Sequence, residues 1–224
     1  MSQPATVSVR IPQVTIGGNV DRHYKEAWED LTADGAPFSW SNIEIRNHMT
    51  RVYDSAPANL IDIWSMSVAQ GEKDYLVYGD ERISYGEAHL KVNCLASYLH
   101  GLGIRHGDRV AILMRNYPEW VLTYWAVASL GAVAVGMNAW WTGLEIEFAV
   151  DDCEPKAIVC DQERLEKLTP HLSTLRSEGN IHVLAVRTKA DLPDDAVHWE
   201  DAISNGDELP DVSKVSIEPD DDVC

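Results

Sequence analysis

The chain has 224 residues, of which 45% are hydrophobic, and a formal net charge of −18. The apolar share is large enough for a folded core, so a wholly disordered chain is excluded. The negative charge repels phosphate backbones, and we therefore expect no nucleic-acid partner. Twelve acidic residues and one basic residue, Lys214, fall between Ala190 and Asp222, which predicts a solvated segment there.

Residues 1–58 predict an N-terminal extension of irregular structure with short helices, because their tryptophans are scattered and follow no clear period. The first residues, MSQPATVSVRIPQVTIGG, lack a basic start before an apolar run, so we expect no secretory signal. From Asn59 the pattern sharpens: NLIDIWSMSVAQ indicates a helix. DYLVYGDERISY consists of two β-type runs joined through Gly79-Asp80, which predicts a β-hairpin.

Three helix starts share one capping pattern, in which a polar residue is followed three positions later by glutamate. The pattern occurs at Ser84–Glu87, at Asn116–Glu119 and at Thr142–Glu145. In the second case Pro118 falls in the first turn, where its missing N–H does little harm. We therefore predict helices that begin at all three places, the third of which ends near Cys153-Glu-Pro155.

Strand-like runs alternate with these helices at residues 109–114, 132–137, 156–161 and 181–186. A further helix carries Leu165, Leu168, Leu172 and Leu175, with a kink expected at Pro170. Nearly continuous apolar strands that alternate with amphipathic helices predict a parallel sheet covered on both faces, a doubly wound α/β fold. We assign residues 59–188 to this α/β subdomain and residues 189–224 to an acidic connecting segment.

The stretch from Trp120 to Leu144 carries no charge and is long enough to cross a bilayer. Gly131, however, stands where a helix would end, and AVAVGMN after it is a short β-favouring run. A buried helix that leads into a buried strand explains the same residues, and we prefer it to a membrane span. The four cysteines show no Cys-x-x-Cys spacing and no paired framework, which predicts reduced thiols in a cytoplasmic protein.

No recognised reaction motif is present in the sequence. GLGIRHG at residues 101–107 lacks the dinucleotide-binding spacing and follows a helix, so it predicts a helix end and a turn. A Walker-type phosphate loop, a Gly-x-Ser-x-Gly elbow and a His-Glu-x-x-His zinc motif are all absent. We therefore assign no catalytic residue and no metal ligand.

The order of these signals resembles the N-terminal part of the adenylate-forming superfamily, which includes acyl-CoA synthetases, peptide-synthetase adenylation domains and luciferases. ISYGEAHL, beginning at Ile83, is similar to an early motif of that family. ASLGAVAVGMNAWWTGLEIEFAVDDCEPKAIV is similar to its second motif, in which a helix, a glycine, a strand and an asparagine precede a capped helix. The likeness covers roughly Asn59 to Cys224. It implies that the sheet belongs to the large N-terminal domain of an adenylate-forming fold.

The sequence departs from the family at the residue after Asn138, where many relatives have proline and this chain has Ala139, followed by Trp140 and Trp141. Some CoA ligases place a basic residue near this loop to meet the CoA phosphates. Because Trp140 carries no charge, we expect no phosphate contact from the loop. One or both tryptophans could instead line the pantetheine or acyl channel, or form a wedge between subdomains.

The resemblance implies an ATP-dependent carboxylic acid–CoA ligase that uses Mg²⁺ and binds a small carboxylic acid, ATP and CoA. It is also compatible with a homodimer. It also implies that VSIEPDDDVC precedes the lysine-bearing phosphate loop, so we expect the 224 residues to be an inactive N-terminal fragment that binds none of these groups tightly. Val223 and Cys224 would open a buried strand. Three alternatives stay open: a stand-alone α/β binding module without catalysis, another adenylate-forming enzyme, and a membrane-anchored protein.

Overall fold

The computed structural model describes residues 20–175, 180–189, 191–193, 196–204 and 215–224. The chain divides into two compact units, Met1–Ala56 and Pro57–Cys224. The residues considered for a secretory signal, and residues 205–214 of the acidic segment, lie outside the described residues.

The first unit contains a helix, α1 (Val20–Thr32), and an antiparallel hairpin of β1 (Trp40–Ile45) and β2 (His48–Tyr53). The expectation of irregular structure with short helices misses this hairpin. Its two turn residues, Arg46 and Asn47, have φ values of 48° and 64°, a combination that two-residue hairpin turns require. Arginine is an uncommon choice for the first of these positions, which is why the turn gave no signal in the sequence.

The second unit opens with α2 (Leu60–Ser67), capped by the Asn59 side chain, and a 3-10 turn. The predicted hairpin follows as β3 (Asp74–Tyr78) and β4 (Glu81–Ser84). The remaining elements up to β8 alternate as predicted: α3 (Tyr85–Gly101), β5 (Arg109–Leu113), α4 (Pro118–Ala128), β6 (Val133–Gly136), α5 (Gly143–Cys153), β7 (Ala157–Asp161), α6 (Gln162–Leu168), α7 (Leu172–Leu175) and β8 (His182–Val186). A 3-10 turn at Thr169–His171 separates α6 from α7 and contains Pro170, where a kink was predicted.

Five parallel strands form one sheet in the order β6-β5-β7-β8-β9, the last being Ala196–His198. Alternate residues of β5, β7 and β8 enter two separate cores, as expected for side chains that point to opposite faces. In β5, Val110 and Ile112 pack with α3 and α4, whereas Ala111 and Leu113 pack with α5 and α6. The doubly wound fold with helices on both faces is confirmed.

The acidic segment contributes to this sheet, which was not predicted. Strand β9 pairs with β8, and α8 (Trp199–Ser204) buries Trp199 and Ala202 in the core beside α3 and α4. The high density of acidic residues led to the prediction of a connecting segment, but it contains a short strand and a helix whose inward positions are apolar. Farther along, the N–H of Ala134 donates to the carbonyl of Val223 (2.9 Å), so the predicted strand opening makes one backbone contact with the edge strand β6.

Two of the three predicted capping boxes are present. The side chains of Ser84 and Thr142 accept from the N–H groups of Glu87 and Glu145, whose carboxylates accept in return. The prediction for Asn116 is wrong: α4 has Tyr117 as its N-cap and no side-chain capping bond. The carboxylate of Glu119, which the local pattern assigned to a cap, binds an arginine 68 residues away instead.

The uncharged stretch from Trp120 to Leu144 forms part of α4, the turn at Gly131, strand β6 and the loop before α5. Gly131 has a φ of 62°, which glycine adopts without the strain that other residues incur. Among the helices of the described residues, none is both long and apolar enough for a membrane span. The interpretation as a buried helix leading into a strand is confirmed.

Candidate functional site

The candidate site lies where the parallel strands end. Strand β5 connects to β6 through α4 on one face, and β7 connects to β8 through α6 on the other face. Because the chain turns to opposite sides after the neighbouring strands β5 and β7, their carboxyl ends form the topological switch point, where doubly wound sheets bind ligands. The residues that follow these strands and β6 therefore form the candidate site.

Arg115 follows β5 and stacks its guanidinium on the indole of Trp140, with 4.4 Å between the guanidinium carbon and the ring centroid. Trp140 is 68% exposed, so the indole packs on the arginine and not in a core. No carboxylate within the described residues pairs with the Arg115 guanidinium. An exposed cation thus stands beside the 138–141 loop, although Trp140 itself carries no charge. The expectation that the loop itself makes no phosphate contact stays a prediction.

The crevice between β5 and β7 is filled by the chain's own charged groups. Asp161, at the end of β7, is buried and accepts from the backbone N–H of Arg115 (3.0 Å). Its carboxylate also caps α6 and accepts from the buried guanidinium of Arg164 (3.3 Å). The Nη2 atom of Arg164 is buried and has no hydrogen-bond partner among the residues that the structure describes.

Above these groups the surface forms a depression of about 800 Å³. Its aromatic lining comes from four residues on the β3–β4 hairpin, α4 and the 138–141 loop: Tyr78, Tyr117, Trp120 and Trp140. Arg115 and Asn116 add polar groups to the same wall. Flat apolar faces beside an exposed guanidinium suit a ligand that carries both an apolar portion and an anion.

One side of the depression is held by Arg187, which follows β8 and has a φ of 52°. Its Nε atom is 3.0 Å from both carboxylate oxygens of Glu119 on α4. Its two terminal nitrogens donate to Glu81 of β4 at 2.8 and 2.7 Å. These hydrogen bonds, with Glu81 first, raise the pKa of Arg187 above its ordinary value. The arginine therefore ties the hairpin, α4 and the sheet together beneath Tyr78 and Tyr117, each 5.1 Å away.

The family model described as "AMP-binding enzyme" matches residues 65–224. The chain belongs to the AMP-binding enzyme family. It is 30% identical over 147 residues to 4-coumarate--CoA ligase 2 of rice (Oryza sativa subsp. japonica), covering 63% of this chain and 26% of the relative. It is 30% identical over 168 residues to the acetyl-coenzyme A synthetase of Chlorobaculum tepidum, covering 74% of this chain and 25% of that protein.

A solved structure of the anthranilate CoA ligase AuaEII in complex with anthranoyl-AMP superposes with a TM-score of 0.62 at 23% identity. The match covers 75% of this chain and 31% of that one, and it shows a common fold. The chain thus spans about a quarter of the length of these curated relatives. The fold described above is that of the N-terminal domain of adenylate-forming CoA ligases.

In this AMP-binding enzyme chain the structure separates the two tryptophans that the sequence singled out. Trp140 faces the depression, whereas Trp141 is half-buried and packs against the core of α5 and α6. Sequence reasoning missed Arg115, Asp161 and Arg164. Their positions gave a usable signal, since each of them lies at or within three residues after the end of a predicted strand. The strand order that brings them together could not be read from the sequence.

The described residues offer little to a metal ion, because they contain no group of three or more His, Cys, Asp or Glu side chains suited to hold one. All four cysteines are unpaired. Burial raises the pKa of Cys160 far above its ordinary value, which makes that thiol a poor nucleophile. The chemical capacity of the described site is therefore stacking and anion contact, without a visible reaction centre.

Proposed function

We propose that this chain is the N-terminal part of an ATP-dependent carboxylic acid–CoA ligase. In the first step the carboxylate attacks the α-phosphate of ATP and releases pyrophosphate; in the second, the CoA thiol displaces AMP to give the thioester. The match to the AMP-binding family over residues 65–224 carries this proposal, and the two CoA-ligase relatives support it. We propose a fatty or aromatic acid as substrate, with a cytoplasmic location in keeping with the unpaired cysteines.

Within such a ligase, we propose that Trp140 and Arg115 contact CoA. The indole offers a flat apolar face to the pantetheine portion or the adenine ring, and the unpaired guanidinium beside it can meet a phosphate. Trp141 is proposed to support the loop from below, since it is half-buried against the core.

We propose that the 224 residues alone do not form an adenylate. Transfer at the α-phosphate needs Mg²⁺, a lysine and backbone amides to neutralise the developing charge. The sequence has no lysine-bearing glycine-rich loop, and a net charge of −18 opposes the binding of a polyphosphate. The described residues include no cluster of His, Cys, Asp or Glu side chains fit to hold Mg²⁺.

The proposed inactivity of the 224 residues is tested by ATP–pyrophosphate exchange with the purified chain and a panel of acetate, 4-coumarate and a long-chain fatty acid. We expect exchange at the level of the protein-free blank, and exchange above it would refute the proposed inactivity. The reading frame after codon 224 supplies the second test. A glycine-rich, lysine-bearing loop within the next few codons supports the ligase, whereas a stop codon there contradicts it.

The proposed CoA contact is tested by titrating the chain with CoA into the millimolar range while recording tryptophan fluorescence. We expect a response that Trp140→Phe abolishes and Arg115→Gln weakens. Arg51→Gln is the matched control, because Arg51 stacks on Trp40 in the first unit at 3.7 Å, and its loss should leave the response unchanged. A response that survives Trp140→Phe would contradict the role assigned to this loop.

A second candidate function is a stand-alone α/β module that binds a small nucleotide or a protein partner without catalysis. It is favoured by the five-stranded sheet, which is covered on both faces by residues of this chain alone. Tight binding of MgATP by the 224 residues, measured by calorimetry, would support this module. Weak or absent binding supports the ligase. A peptide-synthetase adenylation domain or a luciferase-like enzyme would instead reveal itself by adenylate formation without CoA thioester formation in the longer protein.

A further inference from the structure

The 138–141 loop is anchored by cations from one side of a single helix. The Nε atom of Arg164 donates to the carbonyl of Ala139 at 2.6 Å. One turn farther along α6, the Nζ atom of Lys167 donates to the carbonyl of Trp141 at 3.2 Å. The carbonyls on both sides of Trp140 are therefore held by side chains three residues apart, the spacing that places them on the same helix face.

The remaining contacts of the loop add to this arrangement. Asn138 accepts from the backbone N–H of Trp140 at 2.9 Å, which closes a tight turn within the loop. Arg164 itself is 1% exposed and is oriented by Asp161, whose carboxylate also binds the backbone N–H of Arg115. The same carboxylate thus fixes the strand end that carries Arg115 and the arginine that holds the loop carrying Trp140.

We propose that Arg164 and Lys167 are positioning residues that set the orientation of Trp140 over Arg115, although neither occupies the wall of the depression. A carbonyl on each side of the tryptophan is tied to α6 by a charged donor, which fixes the backbone from which the indole projects. The Arg164 guanidinium also lies 5.8 Å from the centroid of the indole itself. The relevance of this orientation to CoA rests on the proposed function, but the orientation itself does not.

The test uses the whole 224-residue chain labelled with 5-fluorotryptophan, which gives a ¹⁹F resonance for each of its 8 tryptophans. Trp140→Phe identifies the resonance of Trp140. We expect Lys167→Met to shift or broaden that resonance while the resonances of the tryptophans outside the 138–141 loop stay in place. Lys167→Arg should restore it, because arginine can still donate to the Trp141 carbonyl. Lys156→Met is the matched control, because Lys156 pairs with Asp108 at the opposite end of the strands at 2.8 Å.

Arg164 is tested by Arg164→Lys, which keeps a positive charge for Asp161 but cannot donate to Asp161 and Ala139 with a fixed planar group. We expect the far-UV circular dichroism to be retained and the Trp140 resonance to move. If Arg164→Lys unfolds the chain, the Trp140 resonance in Lys167→Met and Lys167→Arg alone tests the inference. A Trp140 resonance identical to wild type in both Lys167→Met and a folded Arg164→Lys overturns the inference. If the resonance moves but no variant alters the CoA titration, the positioning role stands and the proposed CoA contact fails.

Discussion

The clearest energetic prediction concerns Arg187, because it joins three elements that are distant in sequence. The side chain of Glu119 is 11% exposed and that of Arg187 is 27% exposed, so the pair is largely shielded from water. Replacing Arg187 with methionine keeps much of the apolar stem but leaves the Glu119 carboxylate buried without its partner. Breaking a fully buried pair costs about 3–5 kcal/mol, and the remaining solvent access of Arg187 reduces this to roughly 2–3 kcal/mol.

Urea denaturation followed by circular dichroism measures this effect as a lower unfolding midpoint at an unchanged slope. Glu119→Gln should cost less, about 1 kcal/mol, because the amide keeps a hydrogen bond and Arg187 keeps Glu81. The double variant Glu119→Gln/Arg187→Met should lose less than the sum of the single variants, since Arg187→Met leaves no buried charge unpaired when residue 119 is already glutamine. Strict additivity within about 0.3 kcal/mol would refute the reasoning.

Three further predictions concern local features of the second unit. Ser84→Ala removes one half of the capping box of α3 and should lower the free energy of unfolding by about 1 kcal/mol, measured in urea. Gly131→Ala places a methyl group 2.6 Å from the His106 ring at a φ of 62° and should cost about 2 kcal/mol in urea denaturation. Gly101→Ala, with open space around it, should be neutral or slightly stabilising in the same measurement. Burial lowers the pKa of His89, which stacks on Trp64, below its usual 6.5. The unfolded chain then binds the proton more readily, so this contribution to stability is complete above pH 6.5 and is lost as the pH falls through the folded pKa. His89→Gln should flatten the pH dependence of the unfolding midpoint between pH 7.5 and 5, and an unchanged slope would contradict the assignment.

The second unit could be predicted from the sequence where its signals are local. Ser84 and Thr142 bond to groups three residues away, so a four-residue pattern contains all the partners that the helix start requires. The same pattern failed at Asn116 because Glu119 has a better partner in Arg187, which no local window includes. The four-residue capping pattern therefore predicts a side-chain cap only where no charged residue distant in sequence binds the same carboxylate.

The candidate site depended on strand order, which the sequence did not reveal. Arg115, Trp140 and Arg164 follow three different strands, and they meet because β5 lies between β6 and β7. Had the order followed the sequence, with β6 between β5 and β7, a strand would have separated the loop that carries Arg115 from the start of α6, which carries Arg164. Aromatic and charged residues immediately after apolar strands are thus a usable signal for a site, but not for its geometry.

The charged residues at the carboxyl ends of the strands determine what this chain can contribute to ligand binding. Of the three arginines there, Arg164 is bound by Asp161 and a loop carbonyl, and Arg187 is bound by Glu81 and Glu119. Arg115 alone, among these three, has no carboxylate partner within the described residues, and its guanidinium stacks on Trp140. In a chain of net charge −18, one exposed cation can orient an anion but cannot neutralise a triphosphate. Under the proposed function, the carboxyl ends of the strands would hold a ligand through Trp140 and Arg115, and the charge neutralisation that phosphate chemistry requires would come from other groups.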